Sequence, residues 1–230
     1  MNLKLFSALL VLPMLCLAQG RGKYNSNYTI RGNLGIPKPL SSQMFSRSFT
    51  SIYEVNVSFN ARLFENFYAG LGYQNTQLQN NKKVFVLYTP PNNPDGQLSY
   101  DTRLLANAVF LKLGYDQFIT DKRYVSYSLN SGLMFARYLN VVQDSAVENQ
   151  PFVPTNFSCP FLQPEISINF IVEPRLSFCL MMSYTTLLYH YDPKAPRFAH
   201  FGEIKSASNN YVMSWLNFGF GFNVLLGKKR

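Results

Sequence analysis

The sequence predicts an all-β fold, an eight-stranded antiparallel up-and-down transmembrane β-barrel with short turns at one end and four longer loops at the other. Several segments alternate apolar and polar residues with a period of two, which is the pattern of a β-strand with one apolar face. The connections between these segments are alternately long and short. The chain of 230 residues is 16% aromatic but only 14% charged, which fits an outer wall in contact with hydrocarbon.

The N-terminus predicts export from the cytoplasm. Lys4 precedes an apolar run from Leu5 to Leu15, and small residues ending at Ala18 form a cleavage site. We therefore expect a cleaved signal peptide over 1–18 and a single barrel domain over 19–230. The apolar run is too short to cross a membrane as a helix, and no later stretch reaches the roughly 20 apolar residues that such a helix needs.

The strand that begins at Ile52 shows the alternation most clearly, and its polar face carries Glu54 and Arg62. Its apolar face consists of Tyr53, Val55, Val57, Phe59, Ala61 and Leu63. A tight break at 64–67 leads into a second alternating strand that runs to Gln74. A soluble sandwich would bury the apolar faces, whereas a barrel in lipid turns them outward and keeps the polar faces in the lumen.

The first strand is expected at 28–36, and Pro37 and Pro39 are expected to end it because proline cannot donate a hydrogen bond to a ladder. The five strands after the opening hairpin are expected at about 100–119, 124–141, 162–172, 176–184 and 216–224. Long loops are expected at about 37–50, 80–99, 143–159 and 191–209. Outer-membrane barrels show this alternation because their periplasmic turns are short and their surface loops are long.

The chain resembles the small outer-membrane β-barrels of Gram-negative bacteria. The resemblance rests on the signal peptide followed by Gln19, the eight amphipathic strands and the segment Phe-Gly-Phe-Gly-Phe-Asn-Val-Leu-Leu-Gly that ends at Gly227. Such barrels include porin-family proteins, adhesion and envelope-stability proteins, and the PorT-like accessory barrel of type IX secretion. The resemblance implies a location in the bacterial outer membrane with both termini in the periplasm. The chain departs from the usual aromatic C-terminal residue and ends at Arg230.

Six charged residues have the inward parity of their strands and form a predicted charge network in the lumen. They are Arg31, Glu54, Arg62, Lys112, Asp116 and Glu165. Buried charges are normally paired, so we expect them to bind one another and plug the lumen. A narrow ion-conducting path along the same charges is the alternative. On the outer wall, a lipid-facing aromatic girdle is predicted from Tyr53, Tyr73, Tyr115, Tyr184, Phe218 and Phe220.

The sequence predicts no catalytic residue, metal site or cofactor. His190 and His200 lie near acidic and serine residues of the last loop, which is the basis for considering a lipid A-modifying enzyme. A loop also collects such residues by chance, and their spacing is irregular for a metal site. Cys159 and Cys179 would lie about 30 Å apart along a hairpin, too far for a disulfide, so both are expected to be unpaired thiols.

Composition points to lipid rather than nucleic acid as the anionic partner. The formal charge is +9, or +8 once Lys4 has left with the signal peptide, and an exported chain rarely meets nucleic acid. We expect contact with phospholipid or lipopolysaccharide, and other outer-membrane or periplasmic proteins are a second class of partner. The predicted role is non-enzymatic, as an envelope component or an accessory subunit of a membrane or secretion complex. A narrow porin-like channel, a lipid A-modifying enzyme and a soluble ligand-binding barrel are the alternatives.

Overall fold

The structure is a computed structural model, and it describes residues 26–41, 43–81, 84–86, 97–99, 102–139, 155–190 and 212–227. The predicted signal peptide, Gln19 and His200 lie outside this part of the chain. Ten strands and one short helix are formed by the described residues. They are β1 (Tyr28–Pro39), α1 (Gln43–Ser48), β2 (Phe49–Phe64), β3 (Phe67–Asn80), β4 (Val84–Val86), β5 (Gln97–Ser99), β6 (Arg103–Thr120), β7 (Arg123–Leu139), β8 (Asn156–Glu173), β9 (Leu176–His190) and β10 (Val212–Leu226).

Eight of the strands form a closed barrel in the order β1-β10-β9-β8-β7-β6-β3-β2. Every pair of neighbours is antiparallel, and β1 and β10 close the barrel in a register that runs from Tyr28 opposite Leu226 to Pro39 opposite Trp215. Closure pairs every barrel strand with two neighbours, as a barrel in hydrocarbon requires. The predicted eight-stranded antiparallel up-and-down barrel is confirmed.

The two ends of the barrel differ in their connections. Two-residue turns at 65–66, 121–122 and 174–175 join strands at the end that we call the turn end. Longer connections at 40–48, 81–102, 140–155 and 191–211 join them at the loop end. The first of these contains α1, and the second contains the small two-stranded sheet of β4 and β5, a segment that the sequence pattern had indicated only as loop.

Some strand ends differ from the sequence-based expectation. Pro37 and Pro39 do not end β1, which continues to Pro39 in register with β10. A proline lacks a donor only toward the neighbour that its nitrogen faces, so one edge of the strand still pairs. At the loop end β8 starts at Asn156, inside the expected loop at 143–159, because its alternation extends further than the sequence pattern indicated.

Side-chain polarity is inverted relative to a soluble barrel. The inward positions of β2 include Glu54, Asn56, Ser58 and Asn60, each 2% exposed or less, whereas the outward Phe59 is 49% exposed. The same alternation repeats on every barrel strand, so the wall is apolar and much of the interior is polar. No helix among the described residues has the length and apolar character to cross a membrane.

Candidate functional site: the side-chain network inside the barrel

The interior of the barrel is arranged in layers from the turn end to the loop end. The first layer is an apolar floor at the turn end, formed by Phe118, Tyr124, Ile171 and Leu225. Above it lie hydrogen-bonded polar side chains, and above those lies a second apolar cluster at the loop end. Each layer draws side chains from several strands because inward positions at one height around a barrel point at one another.

The polar layer nearest the floor is organised around the Arg31 guanidinium. Arg31 Nη2 lies 3.2 Å from Asp116 Oδ1 and donates to Ser126 Oγ at 3.1 Å, while Nη1 donates to Tyr68 Oη at 3.1 Å. The guanidinium carbon also lies 4.7 Å from the centre of the Tyr68 ring, a cation–π contact. Arg31 on β1 and Ser126 on β7 come from opposite sides of the barrel. One side chain therefore crosses the lumen at this height.

A second ion pair joins Lys112 on β6 to Glu165 on β8. The distance from Lys112 Nζ to Glu165 Oε1 is 2.7 Å, and both side chains are buried. Asn130, on the intervening strand β7, donates to the other carboxylate oxygen at 3.4 Å. A buried pair of this kind compensates its own desolvation only through close geometry and additional hydrogen bonds, both of which are present here.

The Glu54 carboxylate is the centre of the third polar layer. Trp215 Nε1 and Thr76 Oγ1 donate to one oxygen at 2.7 and 3.1 Å. Asn217 and Gln163 donate to the other from their amide nitrogens, at 2.8 and 3.1 Å. These four donors are neutral and come from β3, β8 and β10. Strands β2 and β8 lie directly opposite in the barrel order, so the contact between Glu54 and Gln163 spans the diameter of the lumen.

The loop half of the interior is apolar, which the sequence-based picture of a polar lumen does not anticipate. Buried side chains from seven barrel strands pack with Phe45 of α1, which is completely buried. The rings of Phe45 and Phe49 are tilted against each other with centres 5.6 Å apart, and Phe110 meets Phe161 edge-on at 6.4 Å. The first loop therefore places its helix in the mouth of the barrel, and apolar side chains fill the mouth.

Five of the six predicted lumen charges are buried inside the barrel, and the sixth occupies a different environment. Arg31, Glu54, Lys112, Asp116 and Glu165 are each 8% exposed or less. Arg62 is half-buried and lies near the turn end of β2, close to the β2–β3 turn. Gln163 donates to Glu54 and accepts from Asn130, and Asn130 also donates to Glu165, so the Glu54 cluster is connected to the Lys112–Glu165 pair. The Arg31–Asp116 pair forms the other group.

The sequence pattern did not identify the partners of Glu54. Gln163 and Asn217 have inward parity in the sequence, but parity gives no indication of which opposite residue each one meets. Trp215 precedes the expected start of the eighth strand by one residue. Extending the same alternation of β10 from Asn217 back to Trp215 would have placed its side chain in the lumen.

The predicted aromatic girdle faces outward. Tyr73, Tyr184, Phe218 and Phe220 are exposed on the wall, and Tyr53 and Tyr115 are half-buried there. Tyr73 donates its hydroxyl to Asn107 Oδ1 at 2.6 Å, and Asn107 also accepts from Asn75 at 2.7 Å. An apolar wall that changes to hydrogen-bonded polar side chains at a tyrosine is the arrangement expected at a membrane–water interface.

Reactive groups are sparse in the described part of the chain. Cys159 and Cys179 are buried free thiols. His190 is exposed at the loop end of β9, and the residues considered as its partners, together with His200, lie outside the described residues. Among the described residues no three His, Cys, Asp or Glu side chains form a group able to hold a metal ion.

Comparison with solved structures relates this architecture to known barrels. Neisserial surface protein A shares 13% sequence identity with a TM-score of 0.51, and the match covers 87% of this chain and 98% of that one. OprG from Pseudomonas aeruginosa shares 14% identity with a TM-score of 0.45, over 89% of this chain and 99% of that one. No protein-family model and no curated protein matches the sequence. At this identity the likeness to the Neisserial protein shows a shared fold, that of a small eight-stranded transmembrane barrel.

Proposed function

We propose that the chain is a non-enzymatic integral protein of the bacterial outer membrane, exported through a cleaved signal peptide over 1–18 and inserted with both termini in the periplasm. Its role is structural or interactive, as an envelope component or as an accessory subunit of a membrane or secretion complex. A porin-family or PorT-like relationship belongs to the same proposal. Its lumen is plugged and conducts no ions.

The hydrogen bond between Glu54 and Gln163 carries the proposal of a plugged lumen. It joins opposite strands at 3.1 Å, so the space between them is occupied by the two side chains themselves. At lower levels Arg31 crosses the lumen, and the Lys112–Glu165 pair occupies part of it. The apolar cluster with Phe45 fills the mouth. An ion passing through would have to break several of these contacts in a low-dielectric interior.

Conductance of the purified protein in planar lipid bilayers tests the plugged lumen. We expect membrane insertion without steady single-channel currents, because each polar layer is held by side chains from non-adjacent strands. A porin reconstituted in the same lipid serves as the positive control for insertion and recording. Steady, reproducible channels would overturn the proposal and favour the narrow porin-like alternative.

The proposed location has its own test. After expression with its own N-terminus, we expect the protein in the outer-membrane fraction, with Gln19 as the first residue found by mass spectrometry. In detergent, unheated protein should migrate differently from heated protein, because a closed barrel resists unfolding. Recovery of the mature chain in the soluble fraction without detergent would contradict the membrane assignment.

The alternative function, modification of lipid A, depends on His190 among the described residues. His190 stands exposed at the end of β9, outside the buried network. We expect lipid A from cells producing the His190→Ala variant to have the same mass spectrum as lipid A from cells producing the wild-type protein. A mass difference that requires His190 would replace the structural role with an enzymatic one.

Outer-membrane lipid is the proposed partner at the wall, and other outer-membrane or periplasmic proteins are the proposed partners at the exposed ends. The exposed apolar side chains of the wall support the first, since they would contact acyl chains over most of the circumference. Affinity purification from native membranes, read by mass spectrometry, identifies the second. Recovery of the barrel alone under mild detergent would argue against an accessory subunit and for an independent envelope protein.

A further inference from the structure

The barrel wall contains a gap in its hydrogen bonding between β1 and β2. Their ladder ends at the pair Gly35–Glu54. Beyond that pair β1 continues to Pro39 but pairs only with β10, and β2 extends back to Phe49 but pairs only with β3. Two strands that are neighbours in a closed barrel are thus unpaired with each other toward the loop end. β8 and β9 separate in a similar way at the loop end, beyond the pair Phe161–Leu187.

Pro37 and Pro39 face this gap. In an antiparallel strand a residue's N–H and C=O point to the same neighbour, and successive residues alternate. The Leu40 nitrogen donates to β10 at Ser214, and the Asn27 oxygen accepts from β2 at Arg62. Odd-numbered residues of β1 therefore face β2. Both prolines occupy positions whose N–H groups would have joined the strands, so the sequence itself prevents this part of the wall from pairing.

A groove of about 230 Å³ lies on the outer wall beside the gap. Its lining is apolar and comes from three strands: Leu34, Gly35, Ile36, Ile52, Tyr53, Phe218, Gly219 and Phe220. Ile52 occupies an irregular position, because the register of β2 against β3 shifts between Ser51 and Tyr53. The interruption of the ladder and the extra residue in β2 together produce a depression in an otherwise continuous apolar surface.

A cation stands at the loop end of the groove. Lys38 is exposed and is the next outward residue after Ile36, about 7 Å further along β1 at the usual rise per residue. The apolar groove matches the acyl chain of an anionic lipid, and the lysine at its loop end matches the lipid phosphate. We propose that this groove binds one acyl chain of an anionic membrane lipid and that Lys38 contacts the lipid phosphate.

The proposal rests on the proposed membrane location and assigns the lipid contact to one place on the wall. A strand from a partner protein fits the gap less well, because an added strand needs backbone donors and the two prolines remove them from β1. An acyl chain needs no hydrogen bonds and gains only from apolar contact. The same prolines that keep the wall open therefore select for a lipid tail.

Native mass spectrometry of the full mature chain in detergent micelles tests this site, with phosphatidylglycerol and phosphatidylcholine as the two probes. We expect the wild-type protein to retain phosphatidylglycerol in preference to phosphatidylcholine. The Ile52→Trp variant fills the groove and should retain phosphatidylglycerol about five-fold less. Leu111→Trp is the control, since Leu111 is an exposed apolar side chain on the unbroken wall of β6, and it should bind as the wild type does.

Two further sets of variants test the phosphate contact of Lys38 and the acyl-chain groove separately. Lys38→Ala should lower the preference for phosphatidylglycerol over phosphatidylcholine about three-fold, whereas Arg137→Ala, at an exposed outward cation of β7, should leave it unchanged. Replacing Pro37 and Pro39 by Val supplies the missing N–H groups. If the strands then pair, the groove closes and lipid retention should fall without added side-chain bulk.

Equal lipid retention by Ile52→Trp and Leu111→Trp would overturn the proposal, as would equal loss of preference in Lys38→Ala and Arg137→Ala. Heat-dependent migration of each variant in detergent shows separately whether the barrel has formed. A chain that forms the barrel but shows no selective retention refutes the groove and leaves the proposed location intact. A chain that is soluble without detergent refutes the location.

Discussion

Lys112 and Glu165 face each other at 2.7 Å inside a barrel whose outer surface is apolar. At the scale of single residues, this pair shows how the interior tolerates charge. Neither partner reaches solvent, so each depends on the other for compensation of its lost hydration. Removing one partner leaves a buried charge, whereas removing both leaves only a volume to be filled.

A double-mutant cycle at this pair measures the dependence. Lys112→Met should lower the free energy of unfolding by about 3–5 kcal/mol, because Glu165 is left buried with only the long hydrogen bond from Asn130. The double variant Lys112→Met with Glu165→Leu should recover most of that loss. Urea unfolding from lipid vesicles, followed by the mobility of the folded form, gives both values. Additive losses in the double variant would show that the two residues are not coupled.

At the scale of elements, the pairing of β6 with β7 requires a residue without a side chain at Gly132. A Cβ atom there would collide with the Val109 carbonyl oxygen of the neighbouring strand. Backbone cannot move aside as the end of a flexible side chain can, so the two strands would have to separate locally. Gly32 on β1 differs, because a Cβ there meets nothing within 4 Å.

These two glycines form a matched pair for substitution. Gly132→Ala should destabilise the barrel by about 1–3 kcal/mol through the forced separation of β6 and β7. Gly32→Ala should be neutral or stabilising by up to about 1 kcal/mol, since alanine restricts the unfolded chain without a clash. Urea midpoints of the folded, heat-sensitive form distinguish them. Equal effects at the two positions would mean that close strand approach does not limit this wall.

At the scale of the whole molecule, the lumen is closed more than once. The buried ring of Phe45 closes the mouth, and the Glu54 cluster and two ion pairs lie between it and the turn end. Several successive layers make the seal insensitive to the loss of any one of them. The helix α1, only six residues long, is held by this burial rather than by its own helical tendency.

Phe45→Ala is the informative variant at this scale. Loss of the buried ring should lower the free energy of unfolding by about 3–5 kcal/mol. The variant should nevertheless remain silent in planar bilayers, because the contact between Glu54 and Gln163 still crosses the lumen below it. Channel activity in Phe45→Ala alone would show that the first loop is the sole seal and that the polar layers do not obstruct ions.

The sequence alone predicted the number of strands, the alternation of long and short connections, and which face of each strand points inward. Those features depend on a two-residue period and on short turns, which are local properties of the chain. The inward placement of Glu54 and Lys112, and the outward placement of Phe220, followed directly from this parity.

Only the tertiary structure decided which inward residues meet. The contact of Glu54 with Gln163, the filling of the mouth by Phe45 and the gap beside Pro37 depend on the stagger between strands distant in sequence. The odd or even position of a residue in its strand decides whether its side chain points inward or outward. Its position along the barrel axis is set by the register of all eight strand pairings together.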